Sequence, residues 1–253
     1  MKYLLYFLML LPIYSQAGSN LLLVSDPWCP VVCNDDPKKP GYFVELAKAI
    51  FEPAGYSVKY DVVPFARAEA MMNSGEAAGF LGVLKLPKRQ SWVFPVHPQA
   101  ISRVCFYTQP SSNWRFHNEE SLRGIRLGTI RGYSYGSEID ALLPLSQVDP
   151  VNGVGGFQRS VAKLNAGRVS TLVEYELVAQ YQMYQMGYAL REAGCAQRSD
   201  ALYLAFSPRR VDAAQLAKLL DEGIKKMRKT GELQKILKPY GLVDWVDKGR
   251  VLP

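Results

Sequence analysis

The stretch Arg126–Gly136, RLGTIRGYSYG, decides how the chain is read. Leu127 to Ile130 is a short, mainly apolar run that stops before Gly132, so it reads as a strand ending in a glycine turn, with Ser134 opening a helix. A strand that breaks at glycine into a helix start presents unpaired backbone N–H groups and a hydroxyl, which suits an anion such as a carboxylate. The same residues also suit an ordinary strand-to-helix turn capped by serine. The flanking sequence has to separate the two readings.

Downstream, Gln147 to Val151 reads as a strand, Phe157 to Asn165 as a helix, Val169 to Val173 as a strand and Tyr175 to Met186 as a helix. Upstream the same alternation has already run once. Leu21 to Val24 is a continuous apolar run suited to a strand buried on both faces. Phe43, Leu46, Ala47 and Ile50 then fall at helical spacing, Ser57 to Val63 alternates as a strand, Phe65 to Met72 is a helix and Ala77 to Leu84 a third strand. Two α/β units in succession, each a parallel sheet covered by helices, are the expectation. Ile101 to Thr108 and Ala201 to Phe206 are further strands, and Asp212 to Lys229 and Glu232 to Tyr240 are amphipathic helices. Gly187 to Asp200 shows no clear period, and no short repeat runs through the chain.

The first seventeen residues read as a secretory signal peptide: Lys2 supplies a charged start, Tyr3 to Ile13 the apolar run, and Ser15-Gln16-Ala17 the cleavage site. The mature chain is expected to begin near Gly18, without a lipid anchor because the first cysteine is Cys29. The formal net charge of +7 falls to about +6 when Lys2 is removed. Its densest cluster, Lys225, Lys226, Arg228 and Lys229, reads as a solvated helix face, so no nucleic-acid partner is expected. Four cysteines in an exported chain suggest two disulfides, with three possible pairings. Cys29 and Cys33 can pair locally, which leaves Cys105 with Cys195. A metal site is not expected at Cys29 and Cys33, since no histidine or second cysteine pair lies nearby in sequence.

Several segments carry a resemblance to a known family. They are DPWCP at Asp26–Pro30, PGYFVELAKAIF at Pro40–Phe51, SLRGIRLGTIRGYSYG at Ser121–Gly136, LNAGRVSTLVEYELVA at Leu164–Ala179, and GIKKMRKTGELQKILKPYG at Gly223–Gly241. Together they resemble, in order, the bacterial type 2 periplasmic solute-binding proteins of the polar amino acid branch, the family 3 substrate-binding proteins of ABC transporters. That resemblance implies an α/β, two-lobed periplasmic binding protein type II fold, each lobe a mostly parallel sheet flanked by helices, joined by two crossing strands. It divides the chain into the signal at 1–17, a first lobe at 18–107 and 202–253, and a second lobe at 108–201. The lobes are expected to close over a ligand by hinge motion.

The resemblance also implies roles. Ser134, with Gly132 and Tyr133 beside it, matches the hydroxyl that donates to a ligand carboxylate, and Glu174 matches the acid that accepts from its ammonium. Trp28 matches the aromatic that stacks on the ligand. The family's spacing back from Phe94 falls on Lys88, and a one-residue gap would move the carboxylate-binding cation to Arg89, with Arg67 and Arg131 as further candidates; an arginine offers a planar bidentate grip that a lysine lacks. A small charged solute, an amino acid or related carboxylate, is thus the expected ligand, bound by a monomer without cofactor or metal. An inner-membrane ABC permease is the expected partner, with a membrane sensor as the alternative. Catalysis is not expected, although cyclohexadienyl dehydratases share the fold: His97 and His117 are the only histidines, both in irregular segments, and no nucleophile–base pair is legible.

Overall fold

A computed structural model describes residues 19–34, 37–152 and 155–246; the export signal read at residues 1–17 lies outside them. The first unit is β1 (Asn20–Ser25), α1 (Tyr42–Phe51), β2 (Ser57–Val62), α2 (Phe65–Ser74) and β3 (Gly79–Leu84), after which β4 (Ala100–Thr108) leads away. The second unit repeats the pattern with β5 (Arg126–Ile130), α3 (Gly136–Asp140), β6 (Gln147–Val151), α4 (Gly156–Asn165) and β7 (Thr171–Tyr175). Then come α5 (Glu176–Met186), β8 (Arg191–Phe206), α6 (Ala213–Thr230) and α7 (Glu232–Leu237).

The eight strands of the described residues form one sheet in the order β2-β1-β3-β8-β4-β7-β5-β6. Its two ends are counterparts. In the first, β1 lies between β2 and β3, parallel to both; in the second, β5 lies between β6 and β7, again parallel to both. Each parallel trio is closed by an antiparallel strand, β8 against β3 and β4 against β7, and β4 pairs with β8 to join the halves. The chain therefore adopts the expected pair of mostly parallel half-sheets linked by two crossing strands.

The helices cover these sheets for the reason the spacing gave. α1 buries Phe43, Leu46, Ala47 and Ile50 along one face, and α6 buries Leu216, Leu220, Ile224 and Met227 along one of its own. α6 packs on α1, with Gly223 so close to Ile50 that an added Cβ would lie 2.7 Å from it. The C-terminal helices thus return to the first unit.

Three local differences separate the structure from the sequence reading. β8 is sixteen residues long and takes in most of the segment without a clear period. Gly194 at φ +120° and register shifts against β4 at Arg103/Cys105 and Cys105/Tyr107 scramble the alternation there. α3 spans Gly136–Asp140, shorter than the helix read from Tyr135 to Leu142, and passes into a 3-10 turn containing Pro144. β7 runs on to Tyr175, so Glu174, between strand and helix in the sequence reading, lies within the strand.

Both local and long-range disulfides are present, Cys29–Cys33 and Cys105–Cys195. The second pins the crossing strands, because Cys105 and Cys195 stand opposite each other in the ladder with Cα atoms 3.9 Å apart. In the chain-entropy account the long loop is worth about 4.6 kcal/mol and the short one about 2. Urea unfolding of a Cys105→Ala/Cys195→Ala variant should therefore show the larger loss of stability, and Cys29→Ala/Cys33→Ala the smaller. The reverse order would show that the short loop, not the crossing, limits stability.

Candidate functional site

In open α/β sheets ligands bind outside the carboxyl ends of the strands, where the strand order reverses. Here that point occurs twice, at β1/β3 and at β5/β7, and the two face each other. Asp26 and Trp28 follow β1, Gly82 to Leu84 end β3, Tyr133 and Ser134 follow β5, and Tyr175 ends β7. With Phe65, Arg89 and Leu202 these residues line one cleft whose empty space, open solvent included, is about 350 Å³. A second, with about 710 Å³ of empty space when open solvent is counted, lies beyond Trp28 and Tyr133, which line both, and includes Glu174, Phe157 and Gln182.

Trp28 is fixed by its own loop. The Cys29–Cys33 disulfide closes it, the Trp28 N–H donates to the Val32 carbonyl at 2.8 Å, and Trp28 is only 7% exposed. Gly82, at φ +83°, makes the room: a Cβ there would meet Val31 at 2.7 Å and the indole at 3.3 Å. The indole stands edge-on to Tyr133 and Tyr175, with ring centroids 6.2 and 5.3 Å away. Its Nε1–H donates to Glu174 Oε1 at 3.4 Å.

Contacts cross directly between the halves. The Tyr133 hydroxyl donates to Asp26 Oδ2, Phe65 lies 5.6 Å from Tyr133, and Gln182 Nε2 donates to the Cys29 carbonyl at 3.4 Å. The serine turn is organised from within. Ser134 lines the cleft while its hydroxyl donates to Asp140 Oδ2, and the Tyr135 N–H donates to Asp140 Oδ1 at 2.7 Å.

The four candidate cations separate cleanly. Arg89 is 2% exposed and lines the cleft. Its Nε and Nη2 donate to Glu69 Oε1 at 3.1 and 2.6 Å, its Nη1 donates to the Leu84 carbonyl at 3.0 Å, and its guanidinium lies 5.4 Å over the Phe65 ring. Lys88 points to the same Glu69 from the solvent side, at 3.1 Å. Arg67 and Arg131 are exposed and line neither cavity.

Two acids dominate the electrostatics. Asp26 and Glu174 are 3% and 1% exposed. Burial pushes the Asp26 carboxyl up to about 7, opposed by its own backbone N–H. Burial likewise pushes Glu174 up to about 8, against hydrogen bonds from the Tyr175 N–H and the Trp28 indole, and the Asp26 charge raises it further. Glu174 Oε2 is buried without a hydrogen-bond partner among the described residues.

The reading from sequence included Trp28, Arg89, Tyr133, Ser134 and Glu174, which meet around these two cavities, and also Arg67, Lys88 and Arg131, which do not line them. It missed Asp26, Phe65, Tyr175 and the partner of Arg89, Glu69. Asp26 carried a signal, an acid directly after an apolar strand; Glu69 carried none, because its role depends on α2 lying beside the turn that holds Arg89.

A family model for bacterial extracellular solute-binding proteins, family 3, matches residues 22–243. Among curated proteins none matches the sequence. The amino acid ABC transporter substrate-binding protein AbpA of Streptococcus pneumoniae, solved bound to L-arginine, superposes with a TM-score of 0.74 at 21% identity, covering 88% of this chain and 94% of that one. A histidine kinase sensor domain similar to periplasmic binding proteins gives 0.73 at 20% identity, covering 94% and 99%. The ancestral amino acid-binding protein AncCDT-1, a precursor of cyclohexadienyl dehydratase, gives 0.73 at 17%, covering 88% and 95%.

Because Asp26 and Glu174 hold protons more tightly folded than unfolded, their contribution to stability is full below about pH 4 and is lost as pH rises through about 7 and 8. Urea denaturation should show stability falling by on the order of 3 kcal/mol for each carboxyl, about 6 together, between pH 5 and 8.5, since each tenfold gain in proton affinity on folding is worth roughly 1.4 kcal/mol. Asp26→Asn and Glu174→Gln should each flatten that fall. A flat wild-type profile would mean these carboxyls are solvated in solution.

Proposed function

The chain belongs to the bacterial extracellular solute-binding proteins of family 3, and on that premise we propose that it captures a small charged solute of amino-acid size in the cleft at Trp28 and passes it to an ABC-type permease. The observation that carries this reading is the meeting of two sets of strand ends, with Asp26 and Trp28 from one and Tyr133, Ser134 and Tyr175 from the other around one cavity. Groups contributed from both sides make ligand binding and closure one event, since a solute touching both sets gains contacts only when the halves approach. Water excluded by the aromatic wall strengthens each charged contact that remains. In this reading the protein is exported to the periplasm, and β4 and β8 are the hinge. Among the described residues no helix is long and apolar enough to cross a membrane.

Trp28 stacks on the ligand, Asp26 and Glu174 meet its positive group, and Ser134 meets it through the turn. Of the two residues at the family's cation position, Arg89 is the one that lines the cleft, and its guanidinium is already paired with Glu69. The fold also serves in a histidine kinase sensor domain, so a reporting role at the membrane is the alternative use of the same capture step.

One observation favours a second reading. Glu174, at about 8, holds its proton at neutral pH beside a cavity, which is what a general acid needs. Turnover of prephenate by the purified protein would establish it.

A thermal-shift screen of amino acids, amines and small carboxylates tests the first reading. A ligand at a hundred times its dissociation constant adds about 2.7 kcal/mol, or roughly 5–11 °C in Tm for a chain of this size. The shift should vanish in Trp28→Ala. No shift with any solute on folded protein would remove the capture reading, and a shift retained in Trp28→Ala would remove the cleft as its site.

A further inference from the structure

Within the cleft cavity the carboxyl and the guanidinium that can carry full charge are those of Asp26 and Arg89. Arg89 is not available on the same terms as Asp26. Three of its nitrogens donate inward, two to Glu69 and one to the Leu84 carbonyl, so its charge is matched by a carboxylate of the same half. Lys88 approaches that carboxylate too, but its side chain is 55% exposed and lies outside the cavity. Among the described residues no such cation meets Asp26. Its partner is a neutral phenol, Tyr133. Glu174, across Trp28, is partnered by an indole N–H and a backbone N–H and keeps a buried oxygen without a partner among the described residues.

Two acids in one desolvated region, unmatched by any cation of the described residues, are relieved together by a single positive ligand. The remaining wall suits the same charge. Trp28, Tyr133 and Tyr175 line the cavity, and aromatic faces attract alkylated or delocalised cations. Arg89 over Phe65 shows that an aromatic ring beside that wall already holds a guanidinium. The Ser134 hydroxyl proton, which a carboxylate would need, is engaged by Asp140.

We propose that the cleft selects an organic cation, an alkylguanidinium or alkylammonium seated on the Trp28–Tyr133–Tyr175 wall with Asp26 as its counter-ion, and that recognition needs no carboxylate on the ligand. The proposal rests on the reading of the cleft as the capture site and specifies what it captures. Affinity follows the ionisation of Asp26, so it falls as pH drops below about 7. The groups facing Asp26 across the cavity are Tyr133, Tyr175 and Ser134 from the second half and Arg89 from the first; Glu174 lines the cavity beyond.

Matched pairs that differ only by a carboxylate test this: agmatine against L-arginine and cadaverine against L-lysine, by titration calorimetry at pH 8. The decarboxylated member of each pair should bind at least as tightly as its amino acid. Asp26→Asn should weaken agmatine at least tenfold. Glu69→Gln, which frees Arg89, should move the preference about tenfold toward L-arginine, with circular dichroism confirming the fold. Tighter binding of both amino acids by the wild type overturns the proposal and leaves solute capture standing. So does an unchanged preference in Glu69→Gln, or unchanged agmatine binding in Asp26→Asn. Binding of none of the four also overturns it; capture then survives only if another solute gives a thermal shift.

Discussion

The antiparallel pairing of β4 with β8 is the constraint from which the site follows. Each strand also closes one parallel trio, so the ladder between them sets where the two trios stand relative to each other. It brings the carboxyl ends of β1 and β3 opposite those of β5 and β7. Apart from Leu202 of the ladder, Phe65 at the start of α2 and Arg89 in a 3-10 turn, the residues of the cleft come from loops or strand ends placed by that opposition. The disulfide at Cys105–Cys195 ties the ladder in its middle. Ala100 and Leu202 are paired at the end of the ladder where β4 and β8 enter the first half, which is where the proposed closure would bend the chain. Leu202 is both a rung of the ladder and part of the cleft lining, so the ladder and the cleft share a residue.

A second constraint acts inside the cleft. Desolvating a carboxylate is costly unless a partner replaces the lost water. Glu69 meets that condition through Arg89, at 24% exposure and with Lys88 on its open side. Asp26 and Glu174 do not, and they respond by holding protons instead. The contrast is local: α2 and the turn after β3 supply a complete ion pair, whereas the loop after β1 and the end of β7 supply acids alone. A cation arriving from solution is what would let the latter two ionise without water.

How much of this is legible in the sequence depends on the range of the interaction that decides it. The alternation of strands and helices is local, so β1 to β3 and β5 to β7 are readable from Leu21–Val24 or Arg126–Ile130 alone. The crossing strand β8 is not. Its first ten residues, REAGCAQRSD, pair with β4 through shifts that break the two-residue period, and Gly194 is required because Phe116 O lies 2.4 Å from where its Cβ would be. The motif positions of Trp28 and Ser134 locate the cleft without saying what each donates to. Whether Arg89 or Lys88 faces inward depends on a single 3-10 turn, Pro87–Arg89, which spacing leaves open by one residue.

The partner of that arginine bears most on ligand chemistry and is the least visible. Glu69 is one of several polar residues on α2, and its sequence neighbourhood, Arg67-Ala68-Glu69-Ala70, reads as a solvated helix. Only the packing of α2 against the turn after β3 turns it into the group that matches Arg89. An arginine in the family's position signals carboxylate recognition only if its charge remains unmatched. With Glu69 bound at 2.6 Å, the same arginine instead becomes part of the wall, stacked between Phe65 and Trp92. Ligand class therefore cannot be carried from one member of the fold to another by the presence of the arginine. It has to be read from the sum of charges around the cavity, which here leaves Asp26, hydrogen-bonded only by a phenol, without a cation to match it among the described residues.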